Sequence, residues 1–267
     1  MLSNIIFGFL KIVGLRRRVI FYLKQKYFQD FGFEITLGQG LVAPIPYKDS
    51  YDSFSEIFIQ QEYAKILKNI PLQEKWIDIG CHMGYFSLWM EHRRRLHCLN
   101  TSEVLLIDGD IKTEFAIGNL IKRNEISNWI YQQGVIGSGK EINFYERDFM
   151  ASTSLRINGV NPRKVKVLQQ NSIEELFPGP YGLIKIDIEG SEWEFLNNYE
   201  NIISKTNYLL IEWHSWHNGG GGKEQIACKV ESLGFRIIND IENVDSEPTN
   251  LKAGLILAEK TSLMQIS

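Results

Sequence analysis

The chain has 267 residues, of which 44% are hydrophobic and 23% charged, and its net charge is −3. That length suits one large α/β domain with an extension, and the balance lacks the basic excess usual in nucleic-acid binders, so no nucleic-acid partner is expected. Three cysteines without a CxxC pair argue against a disulfide framework or a structural zinc site and suit a reducing cytoplasm.

Residues 1–30 read as helical. Their apolar run at 5–15 is interrupted by Lys11 and is shorter than the ~20 residues a bilayer span needs. The basic residues Arg16–Arg18 follow that run, which disfavours a signal peptide. A helical cap on the main domain is the preferred reading, with peripheral membrane contact through residues 1–27 as the alternative. Residues 31–47 form short extended pieces punctuated by Gly38, Gly40, Pro44 and Pro46. An amphipathic helix is expected over 52–67, stopped by Pro71. Residues 1–72 are therefore assigned to a helical N-terminal extension and 73–267 to the main domain.

From residue 75 the pattern alternates. Strands are expected at 75–79, 104–108, 129–136, 182–188, 207–213, 234–239 and 253–259. Helices are expected at 85–95, 112–124, 191–203 and 223–233. Such alternation predicts a mostly parallel seven-stranded sheet covered on both faces. Residues 140–147 and 164–169 read as inserted strands, and the last two strands, with no helix between them, as an antiparallel terminal hairpin.

The first of these strands ends in Asp78, and Gly80 and Gly84 follow in KWIDIGCHMGYFSLW. Asp-x-Gly-x-x-x-Gly at a first strand end is the nucleotide-cradling loop of S-adenosylmethionine enzymes, whose glycines let backbone approach ligand. Asp78 suits the positive part of that cofactor, and His82 lies within the loop. Cys81 reads as a small residue tolerated there, because nothing local supplies a base for a nucleophile. The second strand ends in Asp108, 24 residues after Gly84, near the ~20-residue spacing of a ribose-binding acid. The same acid would serve NAD, but the glycine spacing is not Gly-x-Gly-x-x-Gly and Asp78 would repel a diphosphate.

The fourth strand runs through GLIKIDIEGSEWEFL. Alternation puts Lys185, Asp187 and Glu189 on one face, toward the ligand crevice. Ser191 and Glu194 read as a capping box, with Glu192 and Glu194 structural or solvated. KIDIEGSE, the upstream WIDIGCHMGYFS and the second-strand unit with Asn119 together resemble the FkbM family of S-adenosylmethionine-dependent methyltransferases over about residues 52–240. The resemblance implies a Rossmann-like class I methyltransferase fold, S-adenosyl-L-methionine as cofactor, and O-methylation of a sugar, glycan or natural product. Its cofactor-binding residues would be Asp78, Gly80, His82, Gly84, Asp108 and Asp187. Asp108-Gly109-Asp110 departs from the family's usual Glu-Pro pair at the second strand.

The fifth strand leads into LLIEWHSWHN, with Glu212, His214 and His217 close together and Gly219–Gly222 behind them. No metal is assigned, because no acidic or cysteine partner of recognised spacing completes a set. His214 reads as a base or acceptor-orienting group, with a structural role as the alternative. Trp213 and Trp216 read as core or as a sugar platform, and the glycines as a flap or linker. An alcohol needs a base to become a nucleophile, and the candidates are Asp187, Glu189 and His214. Two rival readings stand: a non-catalytic cofactor-binding subunit of a glycan pathway, and an NAD-dependent sugar oxidoreductase or epimerase. The latter would need a Tyr-x-x-x-Lys dyad, which residues 84–95 and 191–203 lack.

Overall fold

A computed structural model describes residues 33–145, 162–215, 222–243 and 253–262. The helix expected over 1–30, and Trp216, His217 and Gly219–Gly221, lie outside the described residues.

The described chain opens with a hairpin, β1 (Phe33–Gly38) and β2 (Leu41–Ile45). Leu41, Ala43 and Ile45 are buried, and the hairpin is fastened to the main domain. Asn124 closes a two-bond clasp on Val42, accepting its N–H at 2.7 Å and donating to its carbonyl at 2.9 Å. Arg123 donates to both oxygens of Glu34 at 2.6 and 2.7 Å, and the Tyr85 hydroxyl donates to the Pro44 carbonyl.

The helix expected over 52–67 is three pieces: α1 (Lys48–Phe54), a π-helical turn (Ser55–Ile59) and α2 (Glu62–Ile66). Gln61 turns left-handed between the last two, at φ 56°. Phe54 and Tyr63 are both buried. Nine positions apart in a continuous helix, at about 100° per residue, they would face opposite ways. The wide turn and the break let both face the core.

The central sheet has the order β10-β11-β9-β8-β3-β4-β5. Its strands are β3 (Lys75–Ile79), β4 (Glu103–Asp108), β5 (Trp129–Gln133), β8 (Tyr181–Ile186), β9 (Thr206–His214), β10 (Phe235–Asn243) and β11 (Ala253–Lys260). All pairings are parallel except those of β11, which lies antiparallel between β9 and β10. The expected mostly parallel seven-stranded sheet with a terminal hairpin is therefore present. From β3 the chain works outward to β5 and returns to β8 on the other side of β3. The crevice where strand order reverses, outside the carboxyl ends of β3 and β8, is where such sheets bind ligands.

Helices α3 (Tyr85–Leu96) and α4 (Ile111–Arg123) follow β3 and β4. Helix α5 (Gln170–Leu176) precedes β8, and α8 (Lys223–Ser232) precedes β10. The helix expected over 191–203 is split at Tyr199 into α6 (Glu192–Asn198) and α7 (Glu200–Ser204). There the Tyr199 ring stacks on Phe195 at 5.0 Å and its hydroxyl donates to the Leu168 carbonyl at 2.7 Å. The inserted strands β6 (Glu141–Tyr145) and β7 (Pro162–Lys166) make a separate antiparallel ribbon, whose Phe144 and Val165 cluster with Val135 and Val167.

The sheet has apolar residues on both faces, as central parallel strands require. Trp76, Leu106, Leu183 and Leu210 pack on one side with Phe86 and the extension's Phe54 and Tyr63. Ile77, Ile79, Ile184, Ile186 and Ile211 pack on the other with Phe195 and Ile226. Among the described residues no helix is long and apolar enough to cross a membrane.

Candidate active site

The registers of β3, β8 and β9 decide which polar side chains meet. Asp78 pairs with Lys185 across the β3–β8 ladder, on the same face as Trp76 and Leu183. The Lys185 ammonium donates to the Gly80 carbonyl at 2.9 Å and to Asp187 Oδ2 at 3.1 Å, and lies 3.5 Å from Asp78 Oδ1. Asp78 is fully buried and accepts a hydrogen bond from Ser87 Oγ at Oδ2, at 2.7 Å. Burial works against the charge on Lys185, but Asp187 and Asp78 outweigh it and hold the ammonium above its ordinary value. One cation thus joins the ends of two strands and the glycine loop between them.

The glycines answer to the chain itself. Gly80 has φ +71°, and a Cβ there would lie 1.7 Å from the Asp187 carbonyl oxygen. Gly84 has φ +72°, and its Cβ would meet Ile117 Cδ1 at 2.7 Å. Expected to open space for ligand, both are required already by strand-to-loop and helix-to-helix approach. His82, left-handed at φ 47°, donates its N–H to Asp108 Oδ2 at 2.8 Å. The Asp110 N–H reaches Asp108 Oδ1 at 2.8 Å, while Asp110 itself caps α4 through the Lys112 N–H at 2.9 Å. Asp108 therefore orders two loops at once. Burial lifts its carboxyl to about 6 although both N–H bonds oppose the shift.

Three buried polar atoms at this end of the sheet lack a hydrogen bond: Asp78 Oδ1, His82 Nδ1 and Gln133 Nε2. Buried polar groups are ordinarily satisfied. With the second lone pairs of the Asp108 oxygens they supply acceptors and a donor suited to a polar, nucleoside-bearing ligand. Burial holds the His82 imidazole down to about 4 and so neutral, and pushes the Cys81 thiol well up, leaving it protonated and unfit as a nucleophile.

The other half of the site lies at the ends of β8 and β9. β8 stops at Ile186 and Glu189 takes a left-handed φ of 54°. Strand alternation therefore ends before Glu189, and its expected place on the face of Lys185 and Asp187 does not follow from pleating. The expected Ser191 capping box does not form, since Ser191 makes no side-chain cap bond. Glu192 does that work. Its Oε1 accepts the Gly190 N–H at 3.0 Å and the Ile188 N–H at 3.4 Å, and it meets His214 Nδ1 at 2.9 Å. His214 Nε2 lies 4.0 Å from Glu189 Oε2. Burial alone would lower the His214 imidazole, but Glu192 and Glu189 raise it to about 10, so it is held as a cation.

Asp187, Glu212 and His214 come together, one ligand atom from each within 4.8 Å of the others. Burial, and then the neighbouring Asp187 carboxylate, push Glu212 well above the usual carboxylate range. The extension adds Tyr63, whose hydroxyl donates to Glu212 Oε2 at 3.3 Å. It also adds Glu56, pushed up to about 7 by burial and by Glu62, Asp52 and Asp187. Trp213 is core.

The structure thus brings Asp78, Gly80, Asp187 and Lys185 into one knot, His82 and Asp108 into a second, and Glu189, Glu192 and His214 into a third. Sequence reasoning missed Glu192 as an anchor, though an acid in a helix's first turn after a glycine is a usable signal. It also missed Tyr63, which no local pattern marks.

A family model described as the methyltransferase FkbM domain matches residues 78–239. Among curated proteins none matches the sequence. Among solved structures, residues 942–1257 of StiE O-MT share 9% identity over 79% of this chain and 77% of that one, with a TM-score of 0.50. Aeropyrum pernix fibrillarin with natively bound S-adenosyl-L-methionine shares 10% identity over 75% and 73%, with a TM-score of 0.47. Precorrin-6y C5,15-methyltransferase from Geobacter metallireducens shares 10% over 75% and 87%, with a TM-score of 0.43. At these identities the likeness is one of fold.

Proposed function

The chain belongs to the FkbM methyltransferases, and from that premise we propose that it methylates a hydroxyl of a sugar, glycan or natural-product acceptor. Its cofactor is S-adenosylmethionine, which supplies a methyl on a sulfonium and so demands in-line approach of an acceptor lone pair. The observation that carries the oxygen reading is the group of Asp187, Glu189, Glu212 and His214 at the ends of β8 and β9, beside the glycine loop. An alcohol must lose its proton to attack, and a carboxylate-rich pocket provides for that.

In this reading Asp108 and the His82 loop hold the ribose, and Asp78 with Lys185 keeps the loop against β8. Glu189 is the general base. His214 is already protonated, and Asp187 is engaged by the Lys185 ammonium. Glu189 is less enclosed than His214, at 27% against 3% side-chain exposure. Its left-handed backbone is held by the Glu192 bonds to Ile188 and Gly190, the kind of constrained conformation that collects at functional sites. His214 orients the acceptor. The segment 187–190, Asp-Ile-Glu-Gly, lacks the Pro-Pro-aromatic loop of enzymes that methylate base nitrogens, in keeping with a small-molecule or glycan acceptor and no nucleic acid. We place the protein in the cytoplasm, where Cys81, Cys98 and Cys228 would stay reduced, with residues 1–27 available for peripheral membrane contact.

The test is transfer of a labelled methyl group to a panel of hydroxylated acceptors. Glu189→Gln should lower kcat by about 100-fold or more while leaving cofactor affinity unchanged. Unaltered kcat would remove Glu189 from the role of base.

A further inference from the structure

We propose that Asp187, Glu212 and His214 bind one divalent cation of the Mn²⁺ class, which holds the acceptor hydroxyl. The purpose assigned to that cation rests on the methyltransferase reading above; its binding does not.

The geometry comes from two adjacent parallel strands. The β8–β9 register aligns Ile186 with Ile211, so Asp187 leaves β8 beside Glu212. Two residues further along β9, His214 lies on the same face as Glu212. One ligand atom from each residue lies within 4.8 Å of the other two. Donors bonded to one octahedral cation at ~2.1 Å stand about 3 Å apart when adjacent and about 4.2 Å apart when opposite. A small closure therefore completes three bonds.

A second observation points the same way. Metal-bound histidines commonly give their other ring N–H to a carboxylate, which fixes the ring and its tautomer. His214 Nδ1 has that partner in Glu192 Oε1 at 2.9 Å, both side chains being 3% exposed. His214 Nε2 lies 4.0 Å from Glu189 Oε2, and a ring nitrogen of His214 lies within 4.8 Å of a carboxylate oxygen of both Asp187 and Glu212. The charge balance agrees. Lys185 pairs with Asp187 and Asp78, whereas Glu212 accepts a hydrogen bond from the neutral Tyr63 hydroxyl at 3.3 Å.

Two carboxylates and one imidazole make a hard-to-borderline donor set, suited to Mn²⁺, with Mg²⁺ and Zn²⁺ as competitors. Three protein ligands leave positions open for a substrate oxygen. A hydroxyl bound there becomes more acidic, and its proton passes to Glu189 as the oxygen takes the methyl. Binding of the cation releases the Nε2 proton of His214 to solvent.

The experiment uses the full chain, freed of metal with a chelator and titrated with Mn²⁺ by electron paramagnetic resonance, with S-adenosylmethionine titrated in parallel by calorimetry. The expected result is one Mn²⁺ per chain. Asp187→Asn and Glu212→Gln should each abolish that binding, and Glu192→Gln should weaken it about 10- to 100-fold, with circular dichroism confirming the fold of each variant. Absence of saturable Mn²⁺ binding in the wild-type chain overturns the proposal, as does binding that survives Glu212→Gln. If the cofactor binds and Mn²⁺ does not, the cation site fails and the methyltransferase reading stands. If Mn²⁺ binds and the cofactor does not, the methyltransferase reading fails and the site stands.

Discussion

Gly80→Ala isolates the contact that sets the site. The added Cβ would lie 1.7 Å from the Asp187 carbonyl oxygen, about 1.6 Å inside the ordinary carbon–oxygen separation of ~3.3 Å. The obstacle is backbone in β8's exit, so no side-chain rotation relieves it. Two costs add. A left-handed conformation costs a non-glycine residue about 1–2 kcal/mol, and overpacking costs about 1–3 kcal/mol. Their sum, about 2–5 kcal/mol, corresponds to a fall in Tm of roughly 5–15 °C at this chain length. Gly234→Ala is the control: its φ is +85° and nothing lies within 4 Å of the added Cβ. It should lose only the backbone part, about 1–2 kcal/mol. Gly84→Ala should fall between them, because its obstacle is the end of the flexible Ile117 side chain. Thermal and urea unfolding of the three variants give the order directly. Equal losses for Gly80→Ala and Gly234→Ala would refute the claim that Gly80 is there for contact with β8.

Lys185→Met removes the cation that joins Asp78, Asp187 and the Gly80 carbonyl. Breaking a buried pair this way should cost about 3–5 kcal/mol in urea unfolding, and wild-type stability would contradict the role given to Lys185. Burial lifts the Asp108 carboxyl to about 6, and its ionised form is the stronger acceptor for ribose hydroxyls. Cofactor affinity should then be level above pH 7 and decline about tenfold per unit as pH drops below 6; calorimetry from pH 5 to 8 checks this, and a flat profile would exclude Asp108. Asn124→Ala opens the clasp on Val42 and should cost about 1–3 kcal/mol. Limited proteolysis should then cut within the hairpin, and an unchanged digestion pattern would show that the clasp does not hold it.

Local signals carried most of the fold. The glycine loop, the strand–helix alternation and the apolar runs of β3, β4, β8 and β9 each follow from a few consecutive residues, and they place Asp78, Asp108 and Asp187 at strand ends. What local reasoning could not supply was pairing at a distance. The break at Gln61 arises because Phe54 and Tyr63 must face the same core, which neither residue's neighbours reveal. The Glu192–His214 pair spans the register of β8 and β9, and Tyr63 reaches Glu212 from a segment upstream of the matched family domain. β8 ends at Ile186, so pleating does not account for the place of Glu189, which meets His214 from a left-handed turn. Gly80 and Gly84 are also demanded by their own chain, through close approaches to the Asp187 carbonyl and to Ile117 that no local pattern shows.

In the proposed function the knot around Asp78, Gly80 and Asp108 holds S-adenosylmethionine for methyl transfer. Its most direct test is calorimetric titration of the purified chain with S-adenosylmethionine, its demethylated product and NAD, beside Asp108→Ala. Saturable binding of the first two is expected, weakened at least about tenfold in the variant by loss of a charged hydrogen-bond acceptor, with no binding of NAD. Preference for NAD, or cofactor binding indifferent to Asp108, would contradict it.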